Sequence, residues 1–297
     1  MSTNTVTAAP APRGSATAVT AQPRTKPAAK RSPWGLVAWV VGLLFVSPVL
    51  WMVFLSFHNE SDAASNPPKF TAPLTLGGYR DFFSGGQSPW PSLANSAIAS
   101  ICSTVLVLLL AIPAAYALSI RPVRKWTDVM FFFLSTKMLP AVAGLLPIYL
   151  IAKNAHILDN VWLLVIIYAS MNLPIAVWMM RSFLAEVPVA MLEAAAIDGA
   201  RLPTIMSKII APVAMPGIAA TSLICFIFSW NELLFSKVLT AVVAQTSPVF
   251  LTGFITSQGL FLAKVCAAAT VISLPVLVAG FAAQDKLVQG LSLGAVK

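Results

Sequence analysis

MLEAAAIDGARLPTIMSKIIAP, residues 191 to 212, is the least membrane-like stretch in the middle of a chain that is otherwise one apolar run after another. Read locally, Pro188 and the following residues start a short helix, Glu193-Ala-Ala-Ala-Ile-Asp198 continues it, and Gly199 supplies a natural stop. Ala194, Ala195 and Ala196 let such a helix approach a partner surface closely, and Gly199 lets the chain turn before Pro203 opens a second short helix. Two short helices at an angle make a knob. On local physics alone, an amphipathic element lying on lipid headgroups competes with that reading.

The flanking sequence is membrane. Of 297 residues, 58% are hydrophobic and only 10% charged, whereas an ordinary soluble domain carries roughly a quarter charged residues. The net charge of +9 would suggest nucleic acid if it sat on a polar domain, but the sequence holds no such domain. The charge is therefore read as topology. Cys102, Cys225 and Cys266 each lie inside apolar runs without CxxC or Cys/His spacing, so they read as small core residues rather than metal ligands.

Residues 1–32 are rich in Ala, Thr, Pro and Ser, lack acidic residues and hold Arg13, Arg24, Lys26, Lys30 and Arg31; this composition predicts a disordered basic tail. The run from Trp34 to Phe57 is too long for a signal peptide and has no convincing cleavage site, so it reads as a first spanning helix. A span needs about 20 residues at ~1.5 Å each. Runs at 34–57, 93–119, 127–151, 160–182, 214–236 and 263–283 meet that length, predicting an all-α protein with six transmembrane helices over a domain of 33–285 and a C-terminal tail of 286–297. The polar segment between the first two spans is read as an extramembrane loop, because its Pro and Gly content excludes a long helix.

Basic residues near the span ends set orientation. The N-terminal tail, Arg121, Arg124, Lys125, Arg181, Arg201, Lys208, Lys286 and Lys297 collect on one side; Lys69, Arg80, Lys153, Lys237 and Lys264 lie on the other. That asymmetry predicts cytoplasmic termini and a cytosolic insert. Pro48, Pro113, Pro140, Pro147, Pro174, Pro216 and Pro275 interrupt the spans, and a freed carbonyl in lipid needs a neighbour or a wet cavity. Any one of these prolines is ordinary in a membrane helix; their number leans toward a moving, cavity-lining bundle.

The spacing within the insert decides between the knob and the surface helix. Glu193-Ala194-Ala195, three residues, Gly199, nine residues, Ile209, then Pro212 resembles the EAA loop of bacterial ABC importer permeases, with Ala211 where Leu is usual. The chain from about Trp34 is similar to six-helix carbohydrate-uptake permeases of the maltose-permease type, including Ser229-Trp-Asn-Glu-Leu-Leu-Phe235. Phe133-Leu-Ser-Thr-Lys-Met-Leu-Pro140, Gln258-Gly-Leu-Phe-Leu-Ala-Lys264 and Gly290-Leu-Ser-Leu-Gly-Ala-Val-Lys297 look most like the sorbitol/mannitol branch. The resemblance implies a multi-pass subunit of the cytoplasmic (inner) membrane. It implies as partners a second, homologous permease subunit, two ATP-binding cassette subunits and an extracytoplasmic solute-binding protein. Glu193, Ala194, Ala195, Asp198, Gly199, Ile209 and Pro212 would then form the ATPase-coupling element between helices 4 and 5.

No G-x-x-x-x-G-K-[ST] loop occurs, so ATP hydrolysis is expected on another chain. His58 and His156 are placed in outward loops and no nucleophile-base or paired-carboxylate set is evident, so no enzyme activity, cofactor or metal is expected. Lys137 comes about ten residues into the third span, near the midplane, where a charge costs on the order of 3 kcal/mol and should face a partner or a wet cavity. It reads equally as a donor to substrate hydroxyls or as a structural lysine bonded to carbonyls freed by Pro140. Glu232 is expected near the outer mouth, about 20 residues into the fifth span. Asn172, Asn231, Ser135 and Thr136, with Trp230 as an aromatic wall, complete a substrate pathway suited to hydroxyl-rich ligands, although each polar group also suits interhelical bonding. The outer loop from Lys237 to Leu262 carries Gln245, Thr246, Ser247, Thr252, Thr256 and Gln258, and in related permeases this region reaches toward the binding protein. A secondary transporter or channel is the alternative from another class; it predicts an internal repeat or several embedded carboxylates, and neither is apparent.

Overall fold

In the computed structural model, residues 33–65, 69–120, 123–256 and 259–295 are described, and the expected basic tail lies outside them. The chain divides at residue 47 into two units. The described part of the first is the start of helix α1 (Pro33–Leu55), whose Trp34, Trp39, Leu44 and Phe45 stand exposed, as side chains meant for hydrocarbon do.

The second unit continues from Pro48. After α1 come two short helices, α2 (Glu60–Ala63) and α3 (Gly77–Ser84), then the long α4 (Trp90–Ser119). Helices α5 (Trp126–Met138) and α6 (Ala141–Asn154) meet at an 86° bend, and α7 (Val161–Leu184) follows. The insert folds as α8 (Val189–Ile197) and α9 (Leu202–Ile205), a π-helical turn at Met206–Ile210, and α10 (Ala211–Val213). An 81° bend leads into α11 (Met215–Trp230), followed by α12 (Leu234–Leu239), α13 (Ser247–Thr252), strands β1 (Ile255–Thr256) and β2 (Gly259–Leu260), and α14 (Leu262–Ala295). The two strands pair antiparallel, Ile255 opposite Leu260, a small departure from the expected all-α fold. Helix α14 runs on to Ala295, into the residues read as a C-terminal tail.

Among the described residues, four helices are long and apolar enough to cross a membrane, or up to six if each bent pair is one span. The first bend falls within the expected third span, 127–151, and the second at the start of the expected fifth, 214–236. Pro140 accounts for the first: Leu139 is forced out of the helical region to ψ 129°, and Pro140 then caps α6. The fifth span, expected over 214–236, stops as a helix at Trp230, and α12 begins anew at Leu234. Its restart is fixed by Glu232, whose carboxylate accepts the Phe235 N–H at 2.8 Å and the Ser236 N–H at 3.1 Å. A carboxylate there satisfies two orphan donors at the positive end of the helix dipole.

The core forms where α4, α7 and α11 pack. Ala111, Ala115 and Ala176 are fully buried there, and without bulk beyond Cβ they let the helices approach closely, as membrane bundles require when lipid offers no hydrophobic driving force. At one end the core continues into the insert, through Leu192, Ala195, Ile205 and Ile210. There Arg181 lies 3.9 Å from the Trp126 ring centroid, and its Nε donates to the Leu118 carbonyl at 3.3 Å. The loop between α1 and α4 gathers at the opposite end and is folded against α14 rather than free: Phe82 is buried with Phe250, Ala268 and Ile272. Glu60 accepts the N–H groups of Ala263 and Lys264 at the start of α14, while the Lys264 ammonium pairs with Asp81 at 2.8 Å. His58, expected in an outward loop, is buried and bonded through Nδ1 to the Phe54 carbonyl.

Candidate functional site

A cavity of about 380 Å³ opens between α5, α7 and α11, lined by Lys137, Tyr168, Met171, Asn172, Ile227, Phe228, Ser229, Asn231 and Glu232. Its walls come from where regular structure fails. Lys137 is the last residue but one of α5, just before the bend, and Asn231 and Glu232 occupy the gap between α11 and α12. Breaks of this kind free backbone groups and admit polar side chains at membrane depth, which is tolerated where they face a cavity. Two further recesses, of about 310 and 430 Å³, share Lys137 with it. The second is apolar, walled by Phe133, Trp178 and Phe228.

The residues expected in a substrate pathway divide. Lys137, Asn172, Asn231 and Glu232 meet around this one cavity. Trp230 does not: it is buried with its indole N–H donating to the Ile272 carbonyl at 3.1 Å, so its ring faces α14 and Phe226 instead of forming the aromatic wall. Phe228 holds the wall position. Ser135 and Thr136 spend their hydroxyls on the Phe132 and Phe133 carbonyls one turn back. Lys137 and Glu232 form no ion pair, because the carboxylate is committed to the start of α12. Two polar lining residues, Tyr168 and Ser229, were missed in the sequence. Tyr168 lies one turn before Asn172 on α7, a spacing that puts both on one face, and its hydroxyl is buried beside Glu232 and Ser236. Ser229 entered the sequence reading only within the Ser229–Phe235 stretch of the family resemblance.

The insert has two faces. Leu192 and Ala195 are buried in the core, and Ile209 packs half-buried against it, so these hold the knob to its own membrane domain. Of the three alanines, Ala195 faces its own core, and Ala194 and Ala196 are exposed. Glu193, Ala194, Asp198, Gly199 and Pro212 are exposed, with Ile197 86% exposed at the tip. Gly199 has φ +73°, the left-handed conformation expected of a helix stop. Its N–H bonds to the Ala196 carbonyl at 3.1 Å and the Ala200 N–H to the Ala195 carbonyl at 2.9 Å, the paired bonds that close a helix through a left-handed residue.

At the other end, Asp159 organises the loop after α12. Its carboxylate accepts four backbone N–H groups, from Ala241, Val242, Val243 and Ala244, at 2.8–3.1 Å. Partial desolvation pushes the carboxyl upward, but the four donors outweigh it and hold the pKa down at about 2. Asn95 braces the same turn, donating to the Val243 and Gln245 carbonyls, and leaves Val242 and Val243 exposed at its tip. Gln258, read as part of this loop, lies outside the described residues.

Residues 107–292, which include the cavity and the insert, match the family of binding-protein-dependent transport system inner membrane components. The chain belongs to this family. Among relatives of this permease, a probable ABC transporter permease of Sinorhizobium fredii is 38% identical over 89% of the chain and 95% of its own length. The diacetylchitobiose uptake system permease of Streptomyces coelicolor is 31% identical over 88% of the chain and 94% of its own length. In fold, the permease is similar to a chain in the crystal structure of a bacterial ABC transporter that imports the acidic polysaccharide alginate, with a TM-score of 0.69 at 23% identity over 88% of this chain and all of that one.

Proposed function

We propose that this permease is one membrane subunit of an ATP-driven importer for a sugar or sugar alcohol, pairing with a second, homologous permease subunit to enclose the translocation pathway. The observation that carries the substrate class is the cavity around Lys137. An ammonium, two amides, a phenol and the Phe228 ring line one space, and these donors and acceptors suit a ligand whose recognition is all hydroxyls. The relative that takes up diacetylchitobiose supports a carbohydrate. The likeness of residues 133–140 and of the C-terminal stretches to the sorbitol/mannitol branch supports a polyol.

In this reading the exposed face of α8, with Glu193, Ala194, Asp198 and Gly199, docks on one of two cytosolic ATPase subunits, and Leu192 and Ala195 pass its displacement to the α4, α7 and α11 core. Closure of the ATPase pair would shift the bundle between inward-open and outward-open states in proportion to its differential affinity for them. An extracytoplasmic solute-binding protein delivers substrate at the Asp159 end. A secondary transporter would need carboxylates free to carry ions, and Glu232 instead caps α12.

The test is uptake of labelled sorbitol and mannitol, with diacetylchitobiose for comparison, by the complex reconstituted in proteoliposomes. Lys137→Met, which keeps length but removes the donor, is expected to raise KM about tenfold while the subunits still assemble. Unchanged uptake kinetics would return Lys137 to a structural role.

A further inference from the structure

Ser229 links three helices at the wall of the cavity. Its hydroxyl accepts the Asn172 amide N–H at 2.9 Å and lies 3.1 Å from the Ser103 hydroxyl, which is itself 3.1 Å from the Ser100 carbonyl. Ser103 is fully buried, and Ser229 and Asn172 nearly so. Two donors converge on the Ser229 oxygen, the Asn172 amide from α7 and the Ser103 hydroxyl from α4. With its nitrogen committed to Ser229, the amide has its oxygen left over, and Asn172 is a cavity-lining residue.

We infer that Ser229 is a positioning residue: with Ser103, it fixes the Asn172 side chain so that this wall of the cavity presents a hydrogen-bond acceptor. The cavity is then sided. Lys137 donates from α5 and Asn172 accepts from α7. A sugar or polyol hydroxyl, which both donates and accepts, satisfies neighbouring positions at once, and a ligand able only to accept would leave Asn172 unmet. This inference rests on the proposed substrate pathway and adds to it a residue that acts through another.

The complete complex carrying Ser229→Ala, Asn172→Leu or both is assayed for uptake of sorbitol, mannitol and diacetylchitobiose. For whichever of these the unaltered complex carries, Ser229→Ala is expected to raise KM about five- to tenfold with kcat within about twofold, and to add nothing once Asn172→Leu is present. An unchanged KM, or an equal further loss in the Asn172→Leu background, would mean that Ser229 merely packs and overturns the inference. Should the unaltered complex carry none of the three, the proposed substrate class has failed, and the positioning role is decided by thermal melting of the same four proteins without substrate. Non-additive shifts coupled by about 2 °C or more support the Ser229–Asn172 bond; additive shifts overturn it.

Discussion

At the residue scale, three acidic side chains in this permease hold backbone in place. Glu60 caps α14, Glu232 caps α12, and Asp159 gathers four N–H groups of the 241–244 turn. Asp159 makes a pH prediction. Its folded pKa of about 2 lies below the ordinary 3.8, so the stability it supplies is complete above the ordinary value and is lost as the pH falls toward 2. Because the group is partly exposed, about 1 kcal/mol remains after solvent screening. Asp159→Asn keeps the size but replaces one acceptor oxygen by a donor, and is expected to make the 241–244 turn cleavable by protease at neutral pH; equal resistance in both proteins would show that Asn95 alone holds the turn. The lining residues Lys137, Asn172, Asn231 and Glu232 were legible because polar groups are expensive within apolar runs. Trp230 was misread because its neighbour on α14 is 42 residues away in sequence.

At the element scale, the insert explains why so apolar a chain keeps a small-residue, charged helix pair. One face is an extension of the core, and the other is exposed. Gly199→Val tests the joint. A Cβ at this position meets nothing within 4 Å, so the cost is confined to the left-handed backbone, roughly 1–2 kcal/mol, and the membrane domain should fold and pair normally. Pull-down of the ATPase subunit is expected to weaken and substrate-stimulated hydrolysis to be lost. Full attachment and transport by this variant would reduce α8 to a membrane-surface helix. Glu193→Ala removes an exposed carboxylate and is expected to impair coupling with less effect on folding.

At the scale of the whole molecule, the contacts sort the loops to two ends. Leu118, Arg181 and Trp126 meet near the insert, whereas Asp159, Asn95 and the 241–247 segment meet at the other end. The basic residues predict which end faces the cytosol. A cysteine at Ser61 should react with an impermeant thiol reagent from outside and one at Ser207 should not, both positions being exposed; the opposite pattern would invert the orientation. Sequence alone determined the membrane character, the presence of long apolar helices and the insert with its left-handed glycine. Each of these follows from composition, run length or local conformational preference, which neighbours in the chain express without help. The tertiary structure alone decided that α11 ends at Trp230 short of the expected span, that Ala195 faces inward while Glu193 faces out, that Trp230 turns away from the cavity and that Ser229 holds Asn172. These depend on which helix faces which, and in a chain apolar on every side the sequence carries no stripe to record it.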